Sequence, residues 1–588
     1  MKKKKIFTRF FVLYIFVGLF FLTICIRLIH LQITKSNESA EAVNHMLSLN
    51  EKVRAPRGKI CDRNGVVLAG NRKGYIVLVK KSDDDNLFVT LENLARLSCT
   101  NKEELLNSAE KQGFSYNNPY VFSEDADEET ITKIKESPEK YPNVEILTVP
   151  VREYFYPDTA VHLLGRCGLI SQKEYESMSG YNKDDYIGKQ GAEKAFESVL
   201  RGIDGVRAKE KYTKKELRKF ADDIVSTPGK DVILTIDLEL QKTAEEALDD
   251  VISNSYGAVG GAIVVTDVTS GEILAMASNP DYNLTEFNKK YTELSQDKQK
   301  PFFNRGLSGL YEPGSTFKPI TAIASLESGK LGYEEKIKTL GKYEYFDRIF
   351  RCNIYREKGK THGRIDVKQA LSVSCNYFFY ELGKRVGIDK ISEYAKAFGL
   401  ASPTGIEITP EEAVGTVANP QNRKDKGGYW YAGDTLQAAI GQSDNRFTPI
   451  ALSNYAAALA NGGTLYSAHV LKGVRDLDGK ISYNEPKILN TLDISNKTMQ
   501  TIEEGMLLVT KSGTAKEVFR DFPIEVAGKT GTAQVGKRTN GLFVGYAPTK
   551  APEISFCVVV EGGASGNQAA EISKKILAKY FNTDEKGN

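Results

Sequence analysis

A chain of 588 residues is too long for one hydrophobic core and calls for two or three domains. Its 41% hydrophobic and 26% charged residues are ordinary for a folded protein, which excludes a low-complexity or disordered chain. A formal charge of +3 is close to balance, so charge makes no case for a nucleic-acid partner.

The N-terminus is basic and then apolar. Residues 2–5 are all lysine, residues 10–26 carry no charge, and Arg9 and Arg27 bracket that run. Seventeen residues is short for a membrane span, which needs about 20, but the apolar flank at 28–33 lengthens it. The lysines come first, so a single-pass anchor is expected, N-terminus cytoplasmic and the rest exported. The competing reading is a cleaved signal peptide ending near Ala40-Glu41-Ala42, a site that lies beyond charged residues and well past the apolar run.

Three regions follow: 1–33 as tail and anchor, 34–228 as a mixed domain with helical stretches such as 128–139, and 229–588. In the last, residues 231–237 read as a strand and 238–252 have helical spacing. Residues 261–267 and 272–277 flank a Ser270-Gly271 turn as a β-hairpin. Three more strands are expected at 525–535, 541–547 and 553–560, and a closing helix at 568–580. Strands at both ends around a helical middle predict an α+β fold, an antiparallel sheet flanked by helices. The seven cysteines (25, 61, 99, 167, 352, 375 and 557) form no dense framework and read as mostly free, buried thiols.

Three short motifs carry chemistry. In Glu312-Pro-Gly-Ser315-Thr-Phe-Lys318-Pro319, a helix starting near Thr316 puts Ser315 and Lys318 on one face. Serine needs such a base to become a nucleophile. Fifty-nine residues after Ser315 comes Ser374-Cys375-Asn376, whose hydroxyl and amide suit a loop facing a cleft. In Lys529-Thr530-Gly531-Thr532, within a strand pattern, Gly531 lets another backbone approach, and the ammonium and hydroxyls suit a carboxylate. Strict alternation places Lys529 and Thr532 on opposite faces. A similar run, Lys511-Ser-Gly513-Thr514, follows a helical pattern, and Gly513 reads there as a helix-ending glycine. Each motif alone has a bland reading as a capped helix, a turn or a strand; their order is what is specific.

In that order the motifs resemble those of class B penicillin-binding proteins. The resemblance extends N-terminally through Arg54-Ala-Pro-Arg57-Gly58, Asp62-Arg63-Asn64-Gly65, His162-Leu-Leu-Gly165, Gly188-Lys-Gln-Gly191-Ala-Glu193 and Leu234-Thr-Ile-Asp237, and through Phe543-Val-Gly545-Tyr-Ala-Pro548 near the end. It implies a pedestal, or dimerisation, domain at 34–228 and a transpeptidase domain at 229–588. It also implies a membrane-bound peptidoglycan D,D-transpeptidase for cell elongation or division that β-lactams acylate. In it Ser315 attacks the penultimate D-Ala carbonyl, and Lys318 is the base, its pKa lowered by Lys529. Ser374 relays a proton, Asn376 holds the donor amide, and Lys529, Thr530, Gly531 and Thr532 bind the carboxylate end. The implied partners are stem peptides and a SEDS glycosyltransferase. Residues 433–442 look closer to rod-elongation members.

A D,D-carboxypeptidase or β-lactamase-like hydrolase shares the motifs and differs in using water as acceptor; a β-lactam sensor would acylate without turnover. No cofactor is needed for acyl transfer. Cys352, His362 and Cys375, spaced ten and thirteen apart, nonetheless suit a structural Zn²⁺ beside Ser374, with Asp347 or water as fourth ligand. The alternatives are free thiols or a Cys352–Cys375 disulfide.

Overall fold

The computed structural model describes residues 20–24 and 51–583, apart from 83–85, 116–118, 208–209, 214–215, 220–223, 256, 410 and 537. Residues 20–24 are helical; the rest of the expected span lies outside the described residues, among which no helix is long and apolar enough to cross a membrane.

The described chain forms two compact units. The first comprises Met1–Pro56, Lys73–Val151 and Gly202–Gly229. From Lys73 on, the strand Val67–Val79 pairs antiparallel with Tyr120–Ser123. The helices Asn86–Leu97, Lys102–Lys111 and Glu128–Glu136 bury Leu91, Leu94, Leu105, Ile131 and Ile134 with Val77 and Val79. Asn101 and Asp127 cap two of these helices by accepting the N–H three residues on.

The second unit comprises Arg57–Arg72, Arg152–Arg201 and Lys230–Asn588. Its centre is a five-stranded antiparallel sheet in the order Ile273–Asn279, Gly260–Asp267, Ile554–Glu561, Arg538–Ala547, Ala527–Val535. The inner strands read as unbroken apolar runs, such as 262–265 and 556–560, because both faces are covered. On one face lie Leu238–Asn254 and Gly566–Tyr580, which pack Leu240, Ala244, Ile572 and Ile576 against Ile263, Phe556 and Val558. The other face meets a helical layer of Lys318–Glu327, Asn376–Val386, Pro449–Ala460 and Asn496–Lys511. The strands and helices expected from periodicity are all present, with ends displaced by a few residues; the first strand, for example, stops at Leu234, where its pairing with Leu471–Arg475 shifts register.

Two segments of this unit precede residue 228. One buried network holds them to each other. Glu193, fully buried, takes Arg57 on one oxygen at 2.7 Å and Arg152 on the other at 2.6 Å, and Arg57 also reaches Glu197 at 2.6 Å. Removing one partner of such a buried set costs about 3–5 kcal/mol, because a charge is stranded. The glycines of the matching motifs make close backbone contacts: Gly165 has φ +68°, and a Cβ there would lie 1.9 Å from Gln190 O.

Glu245 sits half-buried in the helix Leu238–Asn254 and accepts from Ala160 N and Gln241 Nε2, each at 2.7 Å. Loss of water pushes its pKa up to about 8, and Asp281 and Asp249 add to the effect. A carboxyl raised in this way contributes stability that is complete below pH 4.5 and lost as pH rises through 8. Thermal melts from about pH 5 to 8.5 should therefore show Glu245→Gln more stable than wild type at the alkaline end and near wild type at the acid end. A parallel pair of curves would refute the assignment.

Candidate active site

Ser315 lies half-buried in a single 3₁₀ turn, Gly314–Phe317, and the α-helix proper begins at Lys318 rather than near Thr316. The reason is local: Gly314 has φ +52° and donates its N–H to Gly441 O at 3.0 Å, which holds the turn open. In a 3₁₀ turn residues three apart eclipse, so Ser315 and Lys318 still share a side. Every residue from Lys318 to Leu326 is buried, as befits a helix surrounded by protein.

Lys318 is completely buried, and its three donors find three acceptors. Nζ donates to Ser374 O at 2.9 Å, to Ser374 Oγ at 3.1 Å and to Asn376 Oδ1 at 2.6 Å. Ser374 adopts φ +52°, a left-handed conformation rare outside glycine, next to the carbonyl and hydroxyl it gives Lys318. Burial brings the Lys318 pKa down to about 8, against an upward pull from Cys352 and Cys375. Desolvation is the first cause of this depression, and Lys318 is also close enough to repel Lys529. The Lys529 side chain is 1% exposed, bonds only its neighbour's carbonyl, Thr530 O, at 3.1 Å among the described residues, and is held well below its usual range by burial and then by Lys318.

The strand Ala527–Val535 is an edge of the sheet. Lys529 points into the protein and Thr532 is exposed, the opposite faces that alternation predicts. Gly531 lies against the nucleophile's turn, where a Cβ would be 2.8 Å from Pro313 O. A Cβ on Gly314 would be 3.1 Å from Thr532 O, so the Ser315 turn and the Thr532 backbone abut.

The run 511–514 divides. Lys511 ends the helix Asn496–Lys511 and pairs outward with Glu525, away from the site. Gly513 is not a left-handed helix cap; a Cβ there would strike Ser372 O at 2.3 Å. Thr514 is a site residue that the three motifs miss. Its N–H donates to Ser372 O at 3.2 Å and its hydroxyl bonds Thr530 Oγ1 at 2.7 Å, so it clamps the segment before Ser374 to the Lys529 strand. Nothing in its spacing marks it, because the link is wholly tertiary.

Beneath Ser374, the ligating atoms of Cys352, His362 and Cys375 all lie within 4.8 Å of one another. Cys352 Sγ is 3.9 Å from His362 Nδ1 and 3.9 Å from Cys375 Sγ, so the two cysteines are free thiols and not a disulfide. Hydrogen bonds from Cys375 and His362 hold the Cys352 thiol far below its ordinary range. Asp347 is not part of the cluster. It is exposed in the turn between the paired strands Lys342–Tyr345 and Arg348–Arg351, which carries it away.

The chain matches the family model for the penicillin binding protein transpeptidase domain over residues 261–578 and that for the penicillin-binding protein dimerisation domain over 52–234. It is 31% identical to the peptidoglycan D,D-transpeptidase MrdA of Acinetobacter baumannii, covering 96% of this chain and 86% of the relative. The MrdA of Escherichia coli K12 is 27% identical over 96% and 92%. Among solved structures, PBP2 of Helicobacter pylori in complex with MreC aligns at TM-score 0.79 and 27% identity over 91% of this chain and 98% of that one. A peptidoglycan synthase complex coordinating polymerization and crosslinking aligns at 0.73 and 27% over 98% and 99%.

The second-order rate of labelling by a fluorescent penicillin should rise with pH through about 8, as Lys318 loses its proton and becomes a base. A rate flat from about pH 6.5 to 9 would count against it. Thr514→Val should slow labelling about tenfold, the cost of one hydrogen bond, with Thr514→Ser close to wild type and Lys511→Ala unaffected. Equal losses at 511 and 514 would contradict the division between those two residues.

Proposed function

The chain belongs to the penicillin-binding protein transpeptidase family and is a peptidoglycan D,D-transpeptidase, and we propose that it cross-links stem peptides through an acyl-enzyme on Ser315. The observation that carries the assignment of roles is the buried Lys318 ammonium, bound by Ser374 and Asn376 three residues along from Ser315.

In this reading a donor stem lies along the open edge of Ala527–Val535 by main-chain hydrogen bonding, its carboxylate at Lys529, Thr530 and Thr532, with Gly531 admitting it. Neutral Lys318 takes the Ser315 proton as Oγ attacks the penultimate carbonyl. The oxyanion is held by the N–H groups of Ser315 and Thr532. The proton passes by way of Ser374 to the leaving D-Ala amine, and the C–N bond breaks. The amine of a second stem then displaces Ser315 by the reverse proton path. β-Lactams acylate the same oxygen.

A role in cell elongation is supported by the MrdA relatives, by the neighbour solved with MreC, and by residues 433–442, of which Gly441 supports the nucleophile's turn. We read the basic and apolar N-terminal run as a single span that leaves the enzyme extracytoplasmic; the two family matches support a pedestal over 34–228 and a transpeptidase domain over 229–588, and the neighbour that couples polymerization to crosslinking supports a SEDS glycosyltransferase as partner.

We also read Cys352, His362 and Cys375 as ligands of a structural Zn²⁺, with a solvent or other fourth ligand. Two thiolates on one tetrahedral zinc are separated by about 3.8 Å at Zn–S bonds of about 2.3 Å, and the sulfurs here are 3.9 Å apart. A bound ion would fix the 374–376 segment; acyl transfer itself uses none of its chemistry.

Mass spectrometry of penicillin-labelled protein should find the adduct on Ser315 alone, and Ser315→Ala should not label. Full labelling of that variant would sink the nucleophile assignment. Protein purified without chelator should hold about one zinc per chain, falling to trace levels in Cys375→Ser; substoichiometric zinc in the wild type would rule the metal out.

A further inference from the structure

Between residues 336 and 364 the sequence has nine basic side chains against three acidic ones, a net of +6 on a chain whose total is only +3. All nine cations are exposed, and among the described residues none of them forms an ion pair. Just outside the segment the pattern is the ordinary one, with Lys368 on Glu504 and Arg385 on Glu335.

The strand registers concentrate this charge. Ile337–Thr339 pairs with Gly363–Ile365 so that Lys338 stands opposite Arg364. Lys342–Tyr345 pairs with Arg348–Arg351 so that Lys342 stands opposite Arg351. In both strand pairs the alternate positions face inward: Ile337 with Ile365, and Tyr343 with Phe350, are buried pairs. The outward face of each therefore presents two like charges directly across from one another, an arrangement that destabilises a sheet. Glu344 shares the outer face of the second hairpin but stands opposite Ile349, so it does not separate Lys342 from Arg351. Both pairs keep this repulsion on an exposed face.

The segment is also built into the site. Cys352 N donates to Gly341 O, Cys352 Sγ lies 3.9 Å from Cys375 Sγ, and the helix Val367–Ser372 leads straight on to Ser374. We propose that this basic module binds the polyanionic acceptor strand, the uncross-linked glycan whose stems each end in a carboxylate, and brings its amines to the acyl-enzyme. The proposal rests on the transpeptidase reading and adds the acceptor's binding surface to it. Long-range attraction of this kind raises local substrate concentration and encounter rate and is screened by salt.

The test uses full-length protein, uncross-linked glycan strands bearing pentapeptide stems, and the quadruple variant Lys338→Gln, Lys342→Gln, Arg351→Gln, Arg364→Gln. Strand binding is measured by co-sedimentation and cross-linking by product analysis, both at rising NaCl. The variant should bind and cross-link strands about tenfold less well at low salt and lose most of the salt dependence. Its labelling by fluorescent penicillin should stay at the wild-type rate. Its melting temperature should hold or rise, since a repulsion has been removed; this separates lost binding from lost folding. The double variant Lys338→Arg, Lys342→Arg, which keeps the charge, should behave as wild type. Unchanged strand binding and salt slope in the quadruple variant would overturn the proposal. So would loss of binding to phosphatidylglycerol vesicles with strand binding intact, which would assign the surface to a membrane. Failure of the underlying transpeptidase reading looks different: wild-type protein would bind strands yet never label with penicillin.

Discussion

Two lysines buried without a carboxylate between them are the constraint around which the catalytic unit is arranged. Lys318 and Lys529 are among the largest fully buried side chains of the described residues. Desolvating one ammonium is costly, and desolvating two within reach of one another adds repulsion. The fold meets the cost of the first with three well-placed acceptors from the 374–376 segment and of the second by depressing its pKa. What remains is supplied by the surrounding packing: a sheet covered on both faces and a helix, Lys318–Glu327, buried on every side. The three bonds of Lys318 tie the start of its helix to the 374–376 segment.

Close backbone approach is the second requirement. The turn carrying Ser315, the strand carrying Lys529 and the chain at Gly441 meet with less room than a side chain needs. Gly441 has φ +76°, and a Cβ there would lie 2.1 Å from Gly314 O. Glycine at 314, 441 and 531 therefore has one shared effect, the removal of Cβ atoms that would otherwise separate nucleophile, oxyanion donors and binding strand. Thr514 adds a fourth strut by joining Ser372 to Thr530. The clamp transmits any shift of the segment before Ser374 to the strand that receives the donor.

The module at 336–364 shows the same economy on the surface. Its inward residues share the hydrophobic core with the Asn376–Val386 helix, and Cys352 touches Cys375. Its outward residues keep a repulsion that better packing cannot remove. Core, thiol cluster and charged face belong to one small element.

Much of this was legible in the chain itself. Short apolar runs bounded by turn residues marked the strands of the second unit, and helical spacing marked its helices. The three motifs picked out Ser315, Lys318, Ser374, Asn376 and Lys529 to Thr532 as candidates, and the fold brings Lys318, Ser374 and Asn376 into hydrogen-bond contact. Tertiary structure decided the rest. The cations at 336–364 can be counted along the chain, but only strand register sets them opposite one another. Spacing could not separate Thr514 from a helix end, since its partners, Ser372 and Thr530, lie far off in sequence. It could not exclude Asp347 from the thiol cluster, since a short separation from Cys352 says nothing about which way a hairpin turn points. Nor could it assign the source of the Lys318 pKa: a lysine's charge is written in the sequence, but the removal of water around it is a property of the packed whole.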